Sequence, residues 1–153
     1  MKKIIALILL FAFASCSKFT LSKTIEDFPG NRWEQKDVKS FEFDVKEDMD
    51  ADVAILFSHV DDPQYDKVPL EVTIEGPLGE KENIAVMLRL KDASGKEYSD
   101  CVGDVCDLTT VVKEIMPLKK GKYVFTIKNL YSQHSYLPNV LALGISLETV
   151  THK

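Results

Sequence analysis

Gly121-Lys122-Tyr123-Val124-Phe125-Thr126-Ile127-Lys128 reads as a strand. Tyr123, Phe125 and Ile127 fall on one face, and Val124, Thr126 and Lys128 fall on the other. A period of two built from aromatic and β-branched residues belongs to a half-buried strand, not to a helix. The preceding Lys119-Lys120-Gly121 is a turn signal.

The same alternation recurs on both sides of this stretch. Phe41, Phe43 and Val45 alternate with Glu42, Asp44 and Lys46. Val53, Ile55 and Phe57 alternate with Ala54, Leu56 and Ser58, and Leu70, Val72 and Ile74 with Glu71, Thr73 and Glu75. Ile84, Val86, Leu88 and Leu90 share one face opposite Met87, Arg89 and Lys91. Leu141, Leu143, Ile145 and Leu147 alternate with Ala142, Gly144, Ser146 and Glu148. Turn clusters separate these runs at Asp61-Asp62-Pro63, Gly76-Pro77-Leu78-Gly79 and Ala93-Ser94-Gly95-Lys96. One apolar and one polar face per strand suits antiparallel sheets packed on one side. The pattern predicts an all-β protein, an antiparallel β-sandwich of jelly-roll type with about seven to eight strands. It is placed at residues 33–150, with Trp33 plugging one end of the core. Residues 108–115 read two ways: Leu108, Val111, Val112 and Ile115 fit a helical spacing, whereas the β-branched run favours a strand or short turn.

Composition sets the class. The chain has 153 residues, 45% hydrophobic and 28% charged, as one globular domain requires. Disorder, fibres and multi-pass membrane architectures do not fit it. A net charge of −5 gives little attraction for phosphate backbones, so nucleic acid is not an expected partner.

The amino-terminal segment carries the targeting signal. Lys2 and Lys3 precede an uncharged, mostly aliphatic run from Ile4 to Ala14. That run is too short to cross about 30 Å of hydrocarbon, but it fits the apolar core of a secretory signal. Phe13-Ala14-Ser15-Cys16 resembles a lipobox, which predicts a lipoprotein signal peptide at 1–15 and lipidation of Cys16. Three acyl chains at about 0.8 kcal/mol per buried CH₂ make such an anchor effectively permanent. Without Lys2 and Lys3 the balance is 17 bases against 24 acids, or −7. Such a domain gains nothing from an anionic surface and is expected to stand off it. Residues 16–32 are expected to be the lipidated cysteine and a flexible tether, of which about fifteen residues reach at most roughly 50 Å. The alternative is a partly ordered arm with Phe28 tucked against the domain.

Candidate chemistry is sparse. Cys101 and Cys106 are a possible disulfide, since an exported domain permits one. The alternative is two packed thiols; the spacing is not the C-x-x-C of redox sites. His59, His134 and His152 are isolated, so no zinc site is expected. Asp48, Asp50 and Asp52 begin like an EF-hand loop, but Val53 and His59 stand where glycine and glutamate are needed. These carboxylates, or Asp61, Asp62 and Asp66, could form a looser cation site on a sandwich edge; the expectation is a solvated hairpin tip, with no metal and no cofactor. No G-x-S-x-G elbow is present, and no catalytic residue is assigned. The expectation is a non-enzyme.

Several stretches together resemble the GldH-type gliding-motility lipoproteins. They are Asn31-Arg32-Trp33, Phe41-Glu42-Phe43, Gly103-Asp104-Val105 with Asp107, Gly121-Lys122-Tyr123-Val124-Phe125-Thr126-Ile127, Leu137-Pro138-Asn139-Val140 and Leu143-Gly144-Ile145-Ser146-Leu147-Glu148. The resemblance implies a membrane-anchored accessory lipoprotein of the gliding-motility and associated secretion machinery. Such a protein would bind envelope proteins of that machinery and use no cofactor or small-molecule substrate. Ser17, where aspartate would favour inner-membrane retention, points to the outer membrane, and the lack of an acidic pair after Cys16 points to its periplasmic face. The rival reading is a glycan-binding β-sandwich lipoprotein, with Tyr65, Tyr98, Tyr131 and Tyr136 as a loop platform.

Overall fold

The period-two runs assemble into two antiparallel sheets in a computed structural model that describes residues 18–151. The strands are β1 (Thr20–Ile25), β2 (Arg32–Glu34), β3 (Lys39–Val45), β4 (Met49–Val60), β5 (Lys67–Glu75), β6 (Lys81–Arg89), β7 (Asp100–Val102), β8 (Val105–Leu118), β9 (Gly121–Asn129), β10 (Tyr136–Pro138) and β11 (Val140–Thr149). One sheet has the order β1-β11-β4-β8-β7, and the other has the order β3-β9-β5-β6. β10 and β2 form a small separate ribbon. The longer strands thus follow the double Greek-key order of a jelly roll. The expectation of seven to eight strands holds for these. The three additional strands, β2, β7 and β10, have three residues each, too few to display a period.

The predicted faces point inward. Phe41, Phe43 and Val45 meet Val53, Ile55 and Phe57 across the sandwich, with Leu70, Val72, Ile74, Tyr123, Phe125, Ile127, Leu143, Ile145 and Leu147 completing the core. Each such side chain contributes about 1.5–3 kcal/mol by burial. Trp33 is fully buried; its indole N–H donates to the Asp37 carbonyl at 2.7 Å, and its ring meets Phe28 edge-on at 6.1 Å. Phe28 is therefore part of the core.

One local reading changes, and the choice at residues 108–115 falls to the favoured strand. Residues 20–32 are not a flexible tether. β1 pairs with β11 from Thr20↔Glu148 to Ile25↔Leu143, and residues 28–34 are folded against the core. Sequence alternation is masked in β1 because Lys23 stands between Leu21 and Ile25 on the same face, its ammonium 5.7 Å from the Phe43 ring centre. A lysine on an edge strand also discourages pairing with a foreign strand. Residues 108–115 are strand, within β8. Register shifts opposite Ala51, Val53 and Ala54 break the alternation, and Ile115 has φ 49°. These irregularities produce the helix-like spacing. The expected signal peptide, Cys16 and Ser17 lie outside the described residues.

Candidate interaction surface

The two ends of the sandwich differ. One end carries Phe19, the β3–β4 connection, the β5–β6 turn and the β8–β9 turn. The other carries the β7–β8 hairpin and the loops at 61–66, 90–99 and 130–135.

At the second end, Cys101 and Cys106 face each other in register across β7 and β8 and are joined by a disulfide, with α-carbons 4.0 Å apart. Gly103 takes φ 61° at the first central position of the two-residue turn, where a type II′ hairpin needs a glycine. The Asp61 N–H donates to the Asp104 carbonyl at 2.9 Å, tying the turn to the end of β4. The Ser58 hydroxyl donates to the Asp107 carboxylate. The hairpin is thus fixed by a covalent bond and two hydrogen bonds, yet its tip is bare: Val102 is 85% exposed, and Val105 is also exposed. Asp100, Asp104 and Asp107 surround that tip, all exposed, with no base between residues 100 and 107.

The acidic residues nearby are structural. Lys91 bridges Asp62 at 2.9 Å and Glu97 at 3.3 Å, and the Asp62 bond holds that carboxyl below its ordinary range. Asp92 accepts from the Ser94 hydroxyl and from the Ser94 and Lys96 N–H groups, which lowers its pKa in turn. Asp61, Cys101 and Cys106 place potential metal donors within 4.8 Å of one another. A disulfide offers no thiolate, so these three do not form a cation site. Nor does the 3.6 Å approach of Cys106 Sγ to Asp61 count as a hydrogen bond, because no S–H remains.

The D-x-D-x-D string is likewise taken up by backbone. Asp48 accepts from the Lys120 N–H at 2.8 Å and the Lys119 ammonium at 2.9 Å, which lowers its pKa. Asp52 accepts from the Ile115 N–H at 2.8 Å and supports the bulge there. These carboxylates pin the β8–β9 turn and the β8 bulge, and so do more than decorate a solvated tip.

Sequence reasoning missed a buried Ser–His pair. His59 Nε2 and Ser99 Oγ are 2.8 Å apart, and His59 Nδ1 lies 2.8 Å from the Val60 carbonyl. A carbonyl only accepts, so Nδ1 carries a proton, and in the neutral ring Nε2 accepts from the serine. Both residues are buried, and the third partner is a carbonyl instead of a carboxylate. The pair fastens the 90–99 loop to β4. No sequence signal marks it, because the residues are 40 positions apart.

The tyrosine platform is not assembled. Tyr65 and Tyr131 are 5% and 4% exposed and pack edge-to-face at 5.7 Å. The Tyr65 hydroxyl donates to the Pro138 carbonyl at 2.8 Å, and burial raises its pKa. The Tyr136 ring is covered by the Arg32 guanidinium at 4.6 Å, which leaves Tyr98 as the freely exposed ring of the four.

The remaining motif residues serve the fold. Gly121, at φ 144°, sits against Pro77, whose Cβ would lie 2.5 Å from an added methyl. The Tyr123 hydroxyl accepts from the Lys119 N–H at 2.9 Å, and Phe125 is fully buried. Leu137 pairs with Trp33 across the β10–β2 ribbon, and Pro138 pairs with Arg32. Gly144 lies beside β1 in the same sheet, where a methyl would meet the Lys23 carbonyl at 2.6 Å.

Comparison with known proteins places the chain in a family. The model of the family described as "GldH lipoprotein" matches residues 20–147, from the first residue of β1 to near the end of β11. No curated relative matches. The chain is also similar to a crystal structure of a protein from Sulfurospirillum deleyianum, at 15% identity and a TM-score of 0.39, covering 86% of this chain and 98% of that one. The chain belongs to the GldH lipoprotein family, a gliding-motility-associated group.

Proposed function

We propose that this protein is a non-enzymatic, lipid-anchored accessory component of the gliding-motility and associated secretion machinery, held at the periplasmic face of the outer membrane through acylated Cys16. It acts by binding another envelope protein of that machinery. Family membership supports the setting. The observation that carries the binding role is Val102, an apolar side chain 85% exposed on a hairpin fixed by a disulfide. A rigid apolar knob loses little entropy on docking. Its collar of Asp100, Asp104 and Asp107 selects a partner with an apolar socket and a basic rim.

A deletion strain tests this reading when complemented with the wild type or with Val102→Arg. The expected result is loss of spreading and secretion on deletion, restored by the wild type and not by Val102→Arg at equal protein level. Full restoration by Val102→Arg would remove the hairpin from the account, and a deletion without defect would remove the function.

A further inference from the structure

We propose that the Phe19 end of the sandwich rests on the bilayer, with Phe19 and Leu78 in the lipid interface and the stapled hairpin facing away; this rests on the lipoprotein reading of Cys16.

The argument begins with the leash. The Phe19 N–H donates to the Thr149 hydroxyl at 2.9 Å, the Thr149 N–H donates back to the Phe19 carbonyl at 2.9 Å, and Lys18 pairs with Glu148 at 2.9 Å. The chain is therefore fixed to β11 from Lys18 onward. Only three residue steps separate Cys16 from Phe19, a span of at most about 11 Å. The polar layer on one side of a bilayer is itself roughly 5–8 Å thick. A cysteine acylated at the hydrocarbon boundary consequently holds Phe19 within or just above the head groups. The domain has no slack to stand off.

The surface at this end suits that position. Phe19 is 57% exposed and borders, with Leu21 and Met49, a cleft of about 580 Å³ whose other walls are Asp44, Lys46, Glu47 and Thr149. Leu78, 90% exposed, tips the β5–β6 turn. The contact of Pro77 with Gly121 sets that turn at the same end. Sheet order puts the two side chains on opposite flanks: β1 lies beside β3, through Lys23 and Phe43, whereas β6 lies beside β8, through Glu82 and Lys113. Two apolar contacts separated in this way fix the tilt of a domain better than one contact does. Four lysines here are matched by acids: Lys18 with Glu148, Lys119 with Asp48, Lys46 with Asp44 at 3.9 Å, and Lys81 with Glu75 at 3.3 Å. Shallow insertion of apolar side chains, not bulk charge, provides the contact. β4, with 12 residues at about 3.3 Å each, then carries the hairpin about 40 Å above the surface.

The test uses the full lipidated protein in phosphatidylethanolamine/phosphatidylglycerol vesicles, with and without brominated acyl chains. Flotation establishes the anchor. Phe19→Trp, Leu78→Trp and Val102→Trp are compared with the wild type, whose Trp33 is a buried reference. The expected result is that bromine lowers the emission of Phe19→Trp and Leu78→Trp, while Val102→Trp loses no more than the wild type. Protein that floats with Phe19→Trp unquenched overturns the orientation but not the anchor, including the case in which a second copy covers this end. Protein that does not float overturns the anchor and the orientation with it.

Discussion

Gly144 on β11 lies directly opposite Thr24 on β1, and a methyl at Gly144 would stand 2.8 Å from the Thr24 hydroxyl oxygen and 2.6 Å from the neighbouring Lys23 carbonyl. The glycine is required by close approach and not by its own backbone angles. It lets edge strand β1 pair closely alongside β11, and that strand completes the jelly roll.

Gly144→Ala is therefore expected to lift β1, costing about 1–3 kcal/mol as an overpacking change. Hydrogen exchange should accelerate at residues 20–25, with little change in β4 and β9. Unchanged protection in β1 would show that the sheet absorbs the methyl.

Replacing both Cys101 and Cys106 with serine removes a bridge spanning five positions. Loop-closure entropy for so small a ring gives about 2 kcal/mol, a drop of several degrees in Tm. The sandwich should persist by far-ultraviolet circular dichroism, while proteolysis at 102–105 becomes faster. A tip as resistant as the wild type would mean that the Asp61–Asp104 hydrogen bond suffices.

Stability should fall at both pH extremes. Asp48, Asp62 and Asp92 have pKa values lowered by hydrogen bonds from Lys120 N–H and Lys119, from Lys91, and from Ser94 and Lys96 N–H respectively. A depressed carboxylate stabilises the fold above its unfolded value of about 3.9, and that contribution is lost as pH falls through the folded value. Lys18, Lys91 and Lys119 are raised by Glu148, Asp62 and Asp48. Their contribution is present below about 10.4 and lost as pH rises through the folded values. Urea unfolding of Asp48→Asn should show a larger penalty at about pH 7 than at about pH 2.5. Equal penalties would contradict the assignment. Solvent exposure keeps each effect small and sensitive to salt.

The core was legible because its strands are long and two-faced. Phe41, Phe43, Val45, Tyr123, Phe125 and Ile127 alternate cleanly, and all are buried. β1 was hidden because the exposed Lys23 falls between Leu21 and Ile25 on their face, and β8 because its bulges shift the period. The candidate site was half visible. Cys101, Cys106 and Gly103 mark a small loop in sequence, but the exposure of Val102 depends on what surrounds it in space. Tyr65 and Tyr131 illustrate the converse: polar-looking loop residues that the fold draws into its interior.

The most direct measurement of the central claim is photo-crosslinking in intact cells from a probe amino acid at Val102, with the same probe at Val111, exposed on β8, as control. The account predicts a discrete adduct with an envelope protein of the motility or secretion apparatus from position 102 and none from 111. No adduct at 102, or the same diffuse pattern from both sites, would contradict it.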